Sequence, residues 1–419
     1  MFHWTLHFCR RIMEGNNGHR KDMTLDKLDE LLLRCRALVI FRGLRDDAVI
    51  SRLIALLAEK GDTTRRVDAY AAFAEALFSH TFSLTEYVKE RVLRDDNLYV
   101  RRRAQGLPAD AELEACLKAE LATLAALAMV DSGAVRQRVG YDGFLPGWRT
   151  EEADLEAAYE ERMALLGTRG FGIFTDNCMF AVRGGVMTPI IQPDAVRLTD
   201  LKGYERQKKA VTENTLALLA GRPAANVLLY GDAGTGKSST VKALANEYFD
   251  RGLRLVELSK GQAGDIPAIT EGLRTNPLKF ILFIDDLSFA QENDDFYALK
   301  AALEGSAAGR TGNVAVYATS NRRHMVKERF SEREGGDDVH RNETIQELCA
   351  LSARFGLTLG YFRPGRQQYF EIVHALADQY GIIMDSAVLE LEAERFAISG
   401  RSPRAARQFI DTLRAKNGQ

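Results

Sequence analysis

The sequence predicts an α/β fold: a five-stranded parallel sheet covered by helices, closed by a C-terminal helical lid and preceded by an all-α N-terminal domain. Two patterns carry that expectation. From residue 226 onward, continuous apolar runs alternate with helical segments, as in a parallel sheet buried on both faces. From 24 to 165, apolar residues instead recur at i, i+3 and i+4, the spacing of amphipathic helices packed together.

The elements follow in order. Residues 1–23 place apolar residues before basic ones, the wrong order for a secretion signal, and read as a disordered tail. Met13 or Met23 is an alternative true start. The helical domain, 24–165, contains "LDKLDELLLRCRALVIF", "DAVISRLIALLAEK", "RVDAYAAFAEALF" and "DAELEACLKAELATLAALAMV", separated by polar or Gly/Pro breaks. Its basic cluster, "YVRRRA", reads as a solvated helix end. Segment 166–196 switches to short β-type runs around Gly184-Gly185, a hairpin or linker. The α/β core spans 197–363, with strands at "NVLLYG", "LRLVELS", "KFILFIDD", "NVAVYATSN" and "GLTLGYF". Helices are expected between them, including "DDFYALKAALEG" and "ETIQELCALSARF". Three helical runs over 364–419 form the lid.

Composition narrows the partners. Of 419 residues, 46% are hydrophobic and 27% charged, globular values that leave no case for wholesale disorder. A net charge of −2 advertises no global nucleic-acid surface. The five cysteines include no C-x-x-C pair, which argues against a disulfide framework or a zinc site and fits a reducing cytoplasm. The most apolar stretch, "LATLAALAMV", is too short to span a bilayer, so no membrane partner is expected.

The first strand of the core runs into "GDAGTGKSS": Gly231, Asp232, Ala233, Gly234, Thr235, Gly236, Lys237, Ser238 and Ser239. Glycines at this spacing let consecutive backbone N–H groups surround phosphate oxygens at the positive end of the following helix. Lys237 then reaches the outer phosphates, and Ser238 offers its hydroxyl to Mg²⁺. A later strand ends on Asp285-Asp286. Beside a phosphate loop, the first acid holds Mg²⁺ and the second accepts a proton from the attacking water. Aspartate at 286 reaches one methylene less than glutamate, which makes slow hydrolysis the expectation. Asn321 closes the next strand, placed to orient that water; a simple capping role is the blander alternative. Arg354 precedes the fifth strand, in a position to face a neighbouring subunit and neutralise phosphoryl charge in trans. Of Arg401, Arg404 and Arg407 near the start of the last helix, Arg404 is the choice for contacting phosphate from the lid.

The ordered set "GDAGTGKSS", "FILFIDD", "ATSN", "LSARFG" and "GRSPRAARQF" resembles the Walker A, Walker B, sensor 1, arginine-finger and sensor 2 stations of an AAA+ ATPase, over roughly 195–415. "DLKGYERQK" resembles the segment bordering the adenine in that class, which implies Gly203 and Tyr204 near the base. In finer detail the chain resembles a bacterial AAA+ family known only as an ATP-binding domain of unknown function. The resemblance implies a P-loop NTPase sheet with a helical lid, ATP and Mg²⁺ as ligands, and a homo-oligomeric ring in the ATP state. The Asp-Asp pair departs from the usual Asp-Glu and is similar to that of bacterial helicase loaders.

Three functions stay open at this point. One is ATP hydrolysis coupled to remodelling a macromolecule held by the helical domain. A second is a nucleic-acid-associated loader or initiator. The third is a nucleotide-gated switch or scaffold with little turnover. Chain threading is disfavoured, because "SKGQAGD" after the second strand lacks the aromatic of a threading loop. Lys260 in that loop suits a phosphate backbone only weakly. A small-molecule kinase would not need Asn321, Arg354 and the lid helices in this order.

Overall fold

The structure, a computed structural model, describes residues 25–287, 299–301, 303, 312–321, 354–398 and 400–416; the side chains of 25, 26 and 260 are not described. The tail expected at 1–23 lies outside these residues. So do most of the helices expected over 294–305 and 343–355. Two compact units emerge, one within Met1–Arg103 and Pro108–Met163, the other within Ala104–Leu107 and Ala164–Gln419.

The first unit is built from helices α1 (Leu25–Arg36), α2 (Ile50–Ala58), α3 (Thr63–Phe78), α4 (Leu84–Arg94), α5 (Leu98–Ala104), α6 (Ala111–Ala128), α7 (Ser132–Val139) and α8 (Leu155–Ala164). Short polar side chains start them: Asp62, Ser83, Asp110 and Asp131 each accept a backbone N–H three residues on. The loop after α1 solves its own backbone problem through a buried acid. Glu120, 6% exposed on α6, accepts the N–H groups of Val39 (2.6 Å), Ile40 (3.1 Å) and Phe41 (2.9 Å). Unpaired, those donors would each cost about 1–3 kcal/mol.

The second unit opens with α9 (Leu166–Arg169) and carries the sheet: β1 (Met179–Arg183), β2 (Val186–Pro189), β3 (Val227–Gly231), β4 (Leu253–Leu258), β5 (Lys279–Ile284), β6 (Val314–Ser320) and β7 (Leu357–Tyr361). Among the described residues the order is β2-β1-β4-β5-β6-β3-β7, parallel throughout except for β2. Seven strands replace the five expected. The segment read as a hairpin or linker adds the other two: β1 pairs in parallel with β4 from Met179↔Leu255 to Ala181↔Glu257, and β2 turns back on β1. The apolar side chains of β1 find cover there, with Met179, Phe180 and Val182 all buried.

Burial on both faces explains the unbroken apolar runs. Along β5, Phe280, Leu282 and Ile284 enter one core cluster with Val256, Leu258 and Leu228. Ile281 and Phe283 point the other way, into a cluster with Leu253, Leu255, Leu229 and Tyr317. Helices α10 (Glu205–Leu219), α11 (Lys237–Tyr248) and α12 (Ile266–Leu273) connect the strands. The lid helices, α13 (Arg366–Gln379), α14 (Ser386–Phe396) and α15 (Pro403–Lys416), have a core of their own around Tyr369, Val373, Ala406 and Ile410.

One buried cation ties the start of this unit to the sheet. Arg254 on β4 is 0% exposed and donates to the carbonyls of Phe174 (2.9 Å), Phe249 (2.9 Å) and Leu253 (2.8 Å). Its guanidinium lies over the Phe249 ring, and burial pushes its pKa down to about 10. It therefore stays charged at neutral pH.

Candidate functional site

Strand β3 is flanked by β6 on one side and β7 on the other. The crevice outside the carboxyl ends of such strands, where the chain switches direction, is where open α/β sheets bind ligands. Because β3, β5 and β6 run parallel, Gly231, Asp285 and Asn321 all emerge at that one edge. A cleft of about 770 Å³ opens there.

The loop after β3 is shaped by glycine. Gly231 has φ 125, and a Cβ on it would sit 2.2 Å from the carbonyl oxygen of Tyr361. Only hydrogen fits. Gly236, at φ 90, starts α11, and a Cβ on it would meet nothing within 4 Å, since it faces the open cradle of the loop. Residues Ala233 through Ser239 line the cleft. Gly231 and Asp232 form the base of the loop instead, with Asp232 only 8% exposed. Lys237 is 5% exposed and folds back into the loop, donating to the carbonyls of Gly231 (3.0 Å) and Asp232 (2.7 Å). Burial lowers the pKa of its ammonium, against the opposing pull of Asp232, Asp285 and Asp286.

The two acids are held by a common network. Ser238 donates its hydroxyl to Asp285 Oδ1 at 2.6 Å. Thr319 donates to that same oxygen, also at 2.6 Å, and its hydroxyl accepts the backbone N–H of Asp286 at 2.8 Å. Asp286 takes a left-handed backbone, φ 52, unusual outside glycine. The bond to Thr319 and one from Leu287 N to Thr319 O (2.7 Å) hold that turn. Asn321 Nδ2 donates to Asp286 Oδ1 at 2.6 Å. Thr319 is the residue that sequence reading missed. Its signal was present: side chains two apart on a strand share a face, so Thr319 belongs with Asn321. The register Ile284↔Ala318 then sets it opposite Asp285.

The remaining predicted residues divide. Gly203 and Tyr204 line the cleft, but the Tyr204 ring is 8% exposed and turned inward. It stacks on Tyr361, with centroids 5.0 Å apart, and its hydroxyl donates to Phe362 O. Its left-handed backbone, φ 57, starts α10. Arg404 and Arg407 line the cleft, whereas Arg401 is engaged by Glu394. Arg354 is exposed in the turn before β7 and does not line the cleft. The Lys260 side chain lies outside the described residues.

The donors suit a Mg-nucleotide. A hydroxyl and a carboxylate oxygen meet beside a glycine-lined loop into which the Lys237 ammonium is folded. Mg²⁺ is held in this sparse way, by one or two protein oxygens plus phosphates and waters.

Strand order, phosphate loop and paired acids define a P-loop protein of AAA+ type. A model of the family described as "Protein of unknown function (DUF815)" matches residues 175–417, and the chain belongs to that family. Among solved structures it is similar to RuvB of Thermotoga maritima, described as a Holliday junction branch migration motor. That alignment has 21% identity and a TM-score of 0.35, and covers 53% of this chain and 64% of that one. A point variant of the same protein aligns at 20% identity over 53% and 65%, with a TM-score of 0.36. The chain thus spans 64% of the length of the first solved structure it matches. No curated protein matches it.

Proposed function

We propose that the chain binds ATP with Mg²⁺ at Gly231–Ser239 and hydrolyses it slowly, coupling the cycle to a macromolecule held by the helical N-terminal unit. The observation that carries this reading is the pairing of Ser238 with Asp285 at 2.6 Å, beside an Asp286 held by Thr319 and Asn321. Ser238 and Asp285 would hold Mg²⁺, which supplies charge neutralisation on the phosphate oxygens. Lys237 exchanges its two carbonyl partners for phosphate oxygens. Water adds to the γ-phosphorus as the bond to the bridging oxygen breaks; Asp286 takes the water's proton and ADP leaves. Asn321 keeps Asp286 turned toward that water. Arg404 contacts the phosphates from the lid, while Gly203 and Tyr204 border the base through their backbone.

Arg354 lies outside the cleft of its own subunit, which favours action on a neighbouring copy in a homo-oligomer. The Asn321–Asp286 bond also favours a second reading. An acid whose oxygen is already engaged suits a nucleotide-gated switch with little turnover.

Steady-state ATP turnover and nucleotide affinity, measured on the wild type and Asp286→Asn, decide between the two. Under the hydrolytic reading the variant binds ATP normally and loses about 10²–10⁴-fold in kcat. Equal, negligible turnover in both proteins with intact binding would establish the switch.

A further inference from the structure

The helical lid is joined to the phosphate loop twice, where the chain enters the lid and where its last helix starts. Where the chain leaves β7 for the lid, Arg363 donates its backbone N–H to Asp232 Oδ2 at 2.8 Å. Where it begins the last lid helix, Arg404 donates its backbone N–H to Gly234 O at 3.1 Å. The packing is close there, since a Cβ on Gly234 would lie 3.4 Å from Arg404 Cβ. The two acceptors are two residues apart in the loop, whereas the two donors bracket the first two lid helices, α13 and α14.

Asp232 is the hub of this arrangement. Its own N–H donates to Tyr361 O at 2.8 Å, and its carbonyl accepts from Thr235 Oγ1 (2.8 Å) and Lys237 Nζ (2.7 Å). One residue therefore touches the end of β7, Arg363 in the lid connection and the lysine of the loop. A carboxylate is a poor choice for a loop built to surround phosphate, because like charges repel. At 8% exposure it is not there for solubility. Its carboxylate holds the lid connection.

We propose that Asp232 is a positioning residue that couples the lid to the phosphate loop. Movement of Lys237 off the Asp232 carbonyl and onto a phosphate shifts the Asp232 backbone, and the carboxylate carries that shift to Arg363 and so to the lid. This coupling rests on the Mg-ATP reading above. The tie itself does not need nucleotide, and so can be tested separately.

The test is amide hydrogen exchange on peptides covering 362–366 and 402–406, with and without ADP, for the wild type, Asp232→Ala and Asp232→Asn. Without nucleotide, Asp232→Ala is expected to speed exchange at Arg363 about tenfold, the loss of one hydrogen bond. Asp232→Asn keeps an acceptor of the same shape and should stay within about threefold of the wild type. With ADP, the wild type and Asp232→Asn should change protection at both peptides. At ADP concentrations that saturate each protein, Asp232→Ala should lose that change at 362–366. Unaltered exchange at Arg363 in Asp232→Ala, or an Asp232→Asn protein that matches Asp232→Ala, overturns the proposal. A wild type that binds no nucleotide sinks the Mg-ATP reading and the coupling with it; the exchange data without ligand still report whether Asp232 holds the lid connection.

Discussion

Thr319 stands between both acids, donating a hydrogen bond to Asp285 and accepting one from the N–H of Asp286. Each bond alone is worth about 1 kcal/mol, but a left-handed aspartate held by one hydroxyl is a geometry that single bonds decide. Thr319→Val conserves shape and removes both bonds. The expected result is a tenfold to hundredfold loss of kcat, about 1.4–2.8 kcal/mol, with ATP affinity kept within a few-fold. Thr319→Ser should recover most of the rate. A variant with reduced ATP affinity and unchanged kcat would show Thr319 acting on binding instead. Sequence reading selected Asp285, Asp286 and Asn321 because acids and an amide at strand ends have no packing role. It passed over Thr319 because threonine in a strand needs no explanation.

At the scale of the element, the loop between β3 and α11 is where backbone geometry admits least change. Gly231→Ala would place a methyl group 2.2 Å from Tyr361 O at φ 125, so β3 and β7 could not keep their register. The cost should exceed about 3 kcal/mol, read as a drop in the thermal midpoint or failure to fold. Gly221→Ala is the control: φ 66, with nothing within 4 Å of its Cβ, and an expected loss of about 1 kcal/mol. Equal losses would show that backbone freedom, and not the approach of β7, fixes Gly231. The loop is legible in sequence because its donors, glycines and lysine lie within nine consecutive positions. The β1–β2 pair is not legible in the same way. Its turn is marked by Gly184-Gly185, but the exposed edge of β4 that recruits β1 is created by the fold.

For the whole molecule, two predictions concern what a single chain can and cannot do. With Arg354 exposed and away from its own cleft, specific ATPase activity should rise with protein concentration. Arg354→Ala should abolish that rise and lower turnover by about 10³-fold or more, as expected for an arginine supplied in trans. Activity independent of concentration and unaffected by the substitution would retire the oligomer. The second prediction concerns alkali. Burial pushes the hydroxyls of Tyr361, in the core beside the cleft, and Tyr369, in the lid core, up to about 12 from an ordinary value of 10.0. A raised folded-state pKa means that the folded protein holds protons the unfolded chain gives up. The stability this represents is fully present below pH 10 and lost as pH climbs toward 12. The thermal midpoint should fall across that window as tyrosinate absorbance rises. A flat midpoint up to pH 12 would contradict it.

What the sequence determined by itself was local. Apolar runs gave strands buried on both faces, 3.6-residue periodicity gave helices, and the contiguous "GDAGTGKSS" gave the glycine-shaped loop between β3 and α11, because each depends on dihedrals and hydrogen bonds among near neighbours. The tertiary structure decided what depends on residues far apart in the chain. It set Thr319 opposite Asp285, turned the Tyr204 ring into the core, and gave Arg404 and Arg407 to the cleft while Arg401 paired with Glu394. It also added β1 and β2 to a sheet expected to have five strands. Strand register and lid packing are minima of the whole chain's buried surface, and no short window of sequence contains the partners that define them.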